Sequence, residues 1–255
     1  MSYCKIFFDA FLRRLAKSKY VDSFIFKGGF LLSANLGIDF RSTIDMDFLL
    51  RNLTFAKDNV KTVFENIIRE EIDDLITFEL VSINDIREED QYGGFNISLL
   101  GRLENIKVPV SIDVATGDPI TPSPITHEYK CLFDNETLNF SAYNFETIIA
   151  EKLQTILIRG ALNSRSKDFY DLYIIYKLRF DEVDKNQLAT AFANTCKYRG
   201  TVFSKEKAVS VLEDIKQDEM IKDRWESYTR KNAFASGIKF EDTLISIFDI
   251  ADLAI

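Results

Sequence analysis

Two stretches of strict alternation constrain this chain most. In RSTIDMDFLLRN, residues 41–52, Ile44, Met46 and Phe48 fall on one face and Asp45, Asp47 and Leu49 on the other. In KVPVSIDV, residues 107–114, Val108, Val110, Ile112 and Val114 alternate with Ser111 and Asp113. A period of two sends successive side chains to opposite faces, so both stretches read as strands. Asp45 and Asp47 then share a face, roughly 6–7 Å apart along the strand. Asp113 stands on the polar face of the second strand and is the candidate for a third acid beside them.

Other elements follow from their spacing. Ile6, Phe7, Ala10, Phe11 and Leu15 give a helix over 5–19. An apolar run then ends at Lys27-Gly28-Gly29, a tight glycine turn entering a helix that stops near Gly37. Val60, Val63, Phe64 and Ile67 mark a helix over 56–71, and strands are expected around 76–83, 94–100 and 107–114. TGDPITPSP, residues 116–124, holds three of the four prolines and reads as a rigid connector at a domain boundary or edge. From about 144 onward the pattern is mostly helical. The expectation is an α+β fold, with a mixed-sheet domain over 1–140 and a helical C-terminal domain over 141–255.

Composition narrows the function classes. A chain of 255 residues, 46% hydrophobic and 28% charged, is globular and can bury a substantial core. With 22 Phe and a single Trp, much of the aromatic mass belongs to that core, and Trp225 reads as helix packing. Forty acidic residues against 32 basic ones leave a net charge of −8, which argues against a protein that coats nucleic acid non-specifically. Local basic patches remain open, one from Lys152 to Arg179 and one of Lys197, Arg199, Lys205 and Lys207. Cys4, Cys131 and Cys196 are odd in number and scattered, so neither a disulfide scaffold nor a structural zinc site is expected. His127 is the only histidine and no glycine-flanked serine is present, so a hydrolytic triad has little support. His127 reads instead as a surface or loop-packing residue. No apolar run reaches about 18 residues and no signal-peptide pattern opens the chain, so a cytoplasmic protein with no membrane span is expected.

Three groups of residues can carry chemistry. Two carboxylates on one strand face, with a third from a neighbour, suit divalent ions. Mg²⁺ takes oxygen ligands and completes its shell with water and substrate phosphate, and three acids permit a two-metal arrangement. Alone, a D-x-D pair is more often solvent-facing acid. Glycines at a helix entry let backbone N–H groups approach a phosphate, although Gly28 and Gly29 alone are also a simple turn. Neither a P-loop nor a G-x-G-x-x-G pattern is present. The third group is AEKLQTILIRGALNSRSKDFYDLY, residues 150–173. Lys152 and Arg159 lie seven apart on one helix face, followed by Arg165, Lys167, Asp168 and Asp171. The plainer reading is a charged helix with intrahelical pairs such as Lys167 with Asp171.

Taken in order, KGGFLL at 27–32, RSTIDMDF at 41–48, IDVATGDP at 112–119 and EKLQTILIRGALNSRSKDFYDLY at 151–173 resemble the AbiEii-type nucleotidyltransferase toxins. These belong to the polymerase-β-like nucleotidyltransferase superfamily and form toxin–antitoxin or phage-defence pairs. The resemblance covers about 150 residues. Its specificity comes from joining the D-x-D to K-x6-R and a downstream R-x-K-D-x-x-D. It implies a mixed sheet bearing the acids and a helical C-terminal portion. It also implies Mg²⁺-dependent transfer of a nucleoside monophosphate from a nucleoside triphosphate to an acceptor hydroxyl, with the tRNA 3′ end as the acceptor in some relatives. Carried over, Asp45, Asp47 and Asp113 hold metal, and Asp113 helps to activate the attacking hydroxyl. Lys152 neutralises phosphate charge. Asp168 either joins this catalytic set or orients Lys152 through a salt bridge. Lys27, Gly28, Gly29, Arg41, Thr43, Arg159 and Lys167 fall to nucleotide binding. The wider superfamily usually has serine where Gly29 stands, so phosphate contact there rests on backbone N–H groups.

The resemblance implies a cognate antitoxin as partner. Alternative readings keep the chemistry with a small-molecule or protein acceptor, or keep the fold as a non-catalytic nucleotide-binding or interaction module. The back-half motif favours the toxin-like enzyme over aminoglycoside-modifying adenylyltransferases. Three intact acids favour an enzyme over a binding module.

Overall fold

The alternating stretches build the centre of a seven-stranded mixed sheet. The computed structural model describes residues 3–36, 45–86, 93–132, 134 and 136–255. They fall into two units, one of Met1–Asp118 with Pro124–Tyr143 and one of Pro119–Ser123 with Asn144–Ile255.

The first unit contains strands β1 (Phe24–Lys27), β2 (Asp45–Leu50), β3 (Thr77–Ile86), β4 (Gly94–Leu103), β5 (Ile106–Thr116), β6 (Ile125–Lys130) and β7 (Thr137–Ala142). Their order is β3-β4-β5-β2-β1-β7-β6. β2 runs parallel to β5 and β1 parallel to β7, and the other neighbours are antiparallel. Helices α1 (Tyr3–Lys17), α2 (Gly28–Leu36) and α3 (Lys57–Ile68) complete the unit. The register explains the alternation. Phe26 pairs with Phe48, and Met46 with Ile112, which in turn pairs with Ile97. All five are at most 1% exposed. Phe24 joins this face, its ring 5.3 Å from Phe48 and 5.7 Å from Phe64 of α3. Phe11 of α1 stacks on Phe64 at 6.0 Å, so phenylalanine forms much of this core.

The second unit is helical: α4 (Phe145–Arg159), α5 (Ser166–Leu178), α6 (Lys185–Tyr198), α7 (Lys205–Gln217), α8 (Glu219–Lys231) and α9 (Phe240–Ala254). α9 buries Leu244, Ile247, Ile250 and Ala251 at helical spacing. Trp225 is buried, and its indole N–H donates to the Ile238 carbonyl at 3.0 Å, consistent with a packing residue. Asn144 caps α4 by accepting from the Thr147 N–H at 2.8 Å. Its amide also donates to the carbonyls of Thr121 and Ser123 at 2.9 and 3.0 Å, tying the proline-rich connector to the start of the helix.

Two features differ from the sequence reading. The connector does not lead straight into helices: the chain returns to the sheet for β6 and β7 before α4 begins. Both strands are short and largely polar, so their alternation is faint. His127 is neither loop nor surface. It lies on β6, buried, with its ring 6.2 Å from Phe26, and that burial holds its pKa below the ordinary histidine value.

Candidate active site

The register places the acids. Asp47 on β2 is the Cα partner of Asp113 on β5, and Asp45 is the partner of Ser111. On the other side Lys27 of β1 partners Asp47, while Asn96 of β4 partners Asp113. Lys27, Asp47, Asp113 and Asn96 therefore form one row across four strands, about 4.8 Å from strand to strand. Asp45 lies two residues before Asp47 on the same face. All five are half-buried.

The row's edge at Lys27 favours anions. Gly28 turns from β1 into α2 at φ +63°, and a Cβ there would stand 2.6 Å from Cγ of Asp47. Only glycine meets both the conformation and the space. The Gly29 N–H donates to Oδ2 of Asp47 at 3.3 Å, so this carboxylate lies at the N-terminus of α2, where exposed N–H groups attract negative charge. Lys27 Nζ meets Oδ2 of Asp118 at 2.9 Å and lies 5.3 Å from the centre of the Tyr143 ring.

At the opposite end of the row, Asn96 Nδ2 donates to Oδ1 of Asp113 at 2.7 Å and to Ser111 Oγ at 2.9 Å. Sequence reasoning missed Asn96 and Asp118. Asn96 had a faint signal, as a polar position in the alternating segment 94–100. Asp118 lies inside the motif IDVATGDP at 112–119, but only folding brings it to Lys27.

The donor chemistry of Asp45, Asp47 and Asp113 is oxygen only, which suits Mg²⁺. A different group, Cys131, Asp134 and Glu136, has ligand atoms within 4.8 Å of one another. Arg13 already spans its acids, at 2.8 Å to Asp134 and 2.6 Å to Glu136. Burial and neighbouring Asp9 push the Cys131 thiol up to about 11, which disfavours the thiolate a metal would need. That group is a charge clasp between α1 and the β6–β7 turn.

The helical unit carries a buried ionic cluster. Lys152 on α4 reaches Asp168 at 2.9 Å and Asp171 at 2.7 Å, both on α5, and Arg165 reaches Asp168 at 2.8 Å. The two carboxylates are at most 2% exposed. Burial alone would pull the Lys152 ammonium down, but Asp168 and Asp171 outweigh it and hold its pKa above the ordinary lysine value. Burial likewise opposes the charge on Asp168, and Lys152 and Arg165 overcome it, leaving that carboxyl below its usual range. Asp171 thus pairs across helices with Lys152.

The sequence matches the profile of the family described as "Nucleotidyl transferase AbiEii toxin, Type IV TA system" over residues 10–244. The chain belongs to this family. This AbiEii-family protein is therefore a nucleotidyltransferase toxin of a toxin–antitoxin system. Among solved structures it is similar to JHP933 from Helicobacter pylori, with 17% identity, 100% of this chain and 93% of that chain covered, and a TM-score of 0.50. A provisionally assigned nucleotidyltransferase from H. pylori aligns at 17% identity over 100% of this chain and 96% of that one, with a TM-score of 0.49. No curated protein matches the sequence.

Two further residues expected to act in this AbiEii-family chain stand at helix ends. Arg159 is half-buried in the last turn of α4, and Lys167 is exposed in the first turn of α5. Arg41 and Thr43 lie outside the described residues. In the second basic patch, Arg199 turns inward to Gln154 Oε1 at 2.8 Å, and Lys205 pairs with Asp252 at 3.0 Å. Lys197 and Lys207 are exposed. Among the described residues, no helix is long and apolar enough to cross a membrane.

Proposed function

We propose that this AbiEii-family protein transfers a nucleoside monophosphate from a nucleoside triphosphate to an acceptor hydroxyl of RNA, at the tRNA 3′ end, in a Mg²⁺-dependent reaction. The row Lys27–Asp47–Asp113 carries the proposal, with Asp45 beside it. It sets a cation and a helix N-terminus next to three carboxylates. Asp45, Asp47 and Asp113 would hold Mg²⁺, which when bound supplies positive charge against the phosphates.

The chain's own residues do the rest. Lys27 and the α2 N-terminus at Gly28 and Gly29 are assigned to the triphosphate, beside the Asp47 carboxylate that the Gly29 N–H holds. The acceptor oxygen forms a bond to the α-phosphorus, the bond from that phosphorus to the β-phosphate oxygen breaks, and pyrophosphate leaves. Asp113 receives the proton of the attacking hydroxyl. Residues 1–140 are assigned to the transferase core and 141–255 to the helical domain. Within that domain, the pairing of Lys152 with Asp168 and Asp171 favours an orienting role for Asp168. Arg159 and Lys167 are assigned to nucleotide phosphates, with Arg41 and Thr43. Action in the cytoplasm, an antitoxin encoded beside it and a part in phage defence complete the proposal.

The test is incubation with each labelled nucleoside triphosphate, Mg²⁺ and total tRNA, beside an Asp45→Ala, Asp47→Ala double variant. Label is expected in RNA with the parent and not with the variant. A folded, nucleotide-binding parent that leaves RNA unlabelled would overturn the RNA acceptor, and small-molecule and protein acceptors would be assayed next.

A further inference from the structure

We propose that Asn96 is a positioning residue for Asp113. The inference rests on the reading of Asp113 as the third acid. Asn96 and Asp113 are directly opposed on β4 and β5. The Asn96 amide has two hydrogens, and both are committed: one to Oδ1 of Asp113 at 2.7 Å, the other to Oγ of Ser111 at 2.9 Å. Ser98 Oγ donates at 3.4 Å to the remaining oxygen of the amide. The amide is thus oriented from three sides, with nitrogen and not oxygen toward the carboxylate.

That orientation fixes one oxygen of Asp113 and leaves the other for metal or substrate. The donor is neutral, which matters here. Asp47 stands on one side of Asp113, Asp45 lies further along β2, and Lys27 is one strand beyond Asp47. A lysine or arginine at 96 would form an ion pair and compete for the charge the site needs. An amide aligns the carboxylate without spending that charge. Partners that orient a metal-binding carboxylate typically matter by about 10- to 100-fold in metal affinity or activity.

The experiment compares Asn96→Leu, which keeps roughly the volume and removes the donor, with the parent and with Asp113→Asn. Three quantities are read: kcat, KM for the nucleoside triphosphate, and Mn²⁺ affinity from the free-ion electron paramagnetic resonance signal. For Asn96→Leu, kcat is expected to fall by about 10- to 100-fold, Mn²⁺ affinity to fall on the same order, and KM to stay within about twofold. Should the leucine variant not fold, Asn96→Ser carries the same expectation, since its hydroxyl is too short to reach Asp113. Parent-like kcat and Mn²⁺ affinity in these variants, with Asp113→Asn inactive, would overturn the role of Asn96 alone. An active Asp113→Asn would instead overturn the reading of Asp113.

Discussion

At Gly28 the backbone turns with φ +63°, and the nearest group to its missing side chain is the Asp47 carboxylate. A Gly28→Ala change must strain the turn and push Asp47 aside. The expected outcome is a loss of about 1–3 kcal/mol in denaturant titration. Turnover should fall by up to about a hundredfold, because a shift of an ångström in a reacting group costs that much. Lys152 sits in the buried ionic cluster of the helical unit. Lys152→Met removes the cation that buried Asp168 and Asp171 share, leaving Asp168 paired with Arg165, and should cost about 3–5 kcal/mol of stability in the same measurement. The sequence showed Asp45, Asp47 and Asp113 as acids on polar strand faces, because alternation alone carries that. It could not show Asn96 against Asp113, since that contact depends on the register between two strands. Nor could it choose the partner of Asp171. Helical spacing suggests Lys167, yet Lys167 is exposed while Asp171 is fully buried beside Lys152.

Among the elements, β2, β5 and the helices α1 and α3 were legible because each has a full apolar face at its own period. β6 and β7 were not. In ITHEYK only His127 is buried, and in TLNFSA the buried set is Leu138, Phe140 and Ala142. These short runs sit between a proline-rich stretch and α4, where turn chemistry dominates the local signal. They are strands because β7 pairs with β1 and β6 with β7, which is information held elsewhere in the chain. The same holds for the start of α4. Asn144 is a recognisable cap, but its bonds to the Thr121 and Ser123 carbonyls anchor a connector more than 20 residues upstream. Asn144→Ala removes the cap and both tethers. A loss of about 1–2 kcal/mol is expected from the cap, read as a lower thermal midpoint.

Across the whole molecule, the buried ionic cluster sets the expected pH limits of the helical unit. Asp168 is depressed below its ordinary value of 3.8, so its contribution is present above 3.8 and is lost as pH falls through the lower folded value. Lys152 is raised above 10.5, so its contribution is present below 10.5 and is lost as pH rises through the folded value. The cluster's share of the denaturant midpoint should therefore hold between those limits and fall outside them, and Asp168→Asn should flatten the acid side. The net charge of −8 fits an enzyme with a confined phosphate site better than one that coats RNA. The central claim is that the three carboxylates on β2 and β5 act as one centre. Pyrophosphate release from nucleoside triphosphate, with tRNA and Mg²⁺ present, tests it in Asp45→Asn, Asp47→Asn and Asp113→Asn. Each variant is predicted to fold and to lose at least about a hundredfold in rate, as expected when several kcal/mol of charge stabilisation disappears. A folded variant of any one of the three that kept the parent rate would contradict the account.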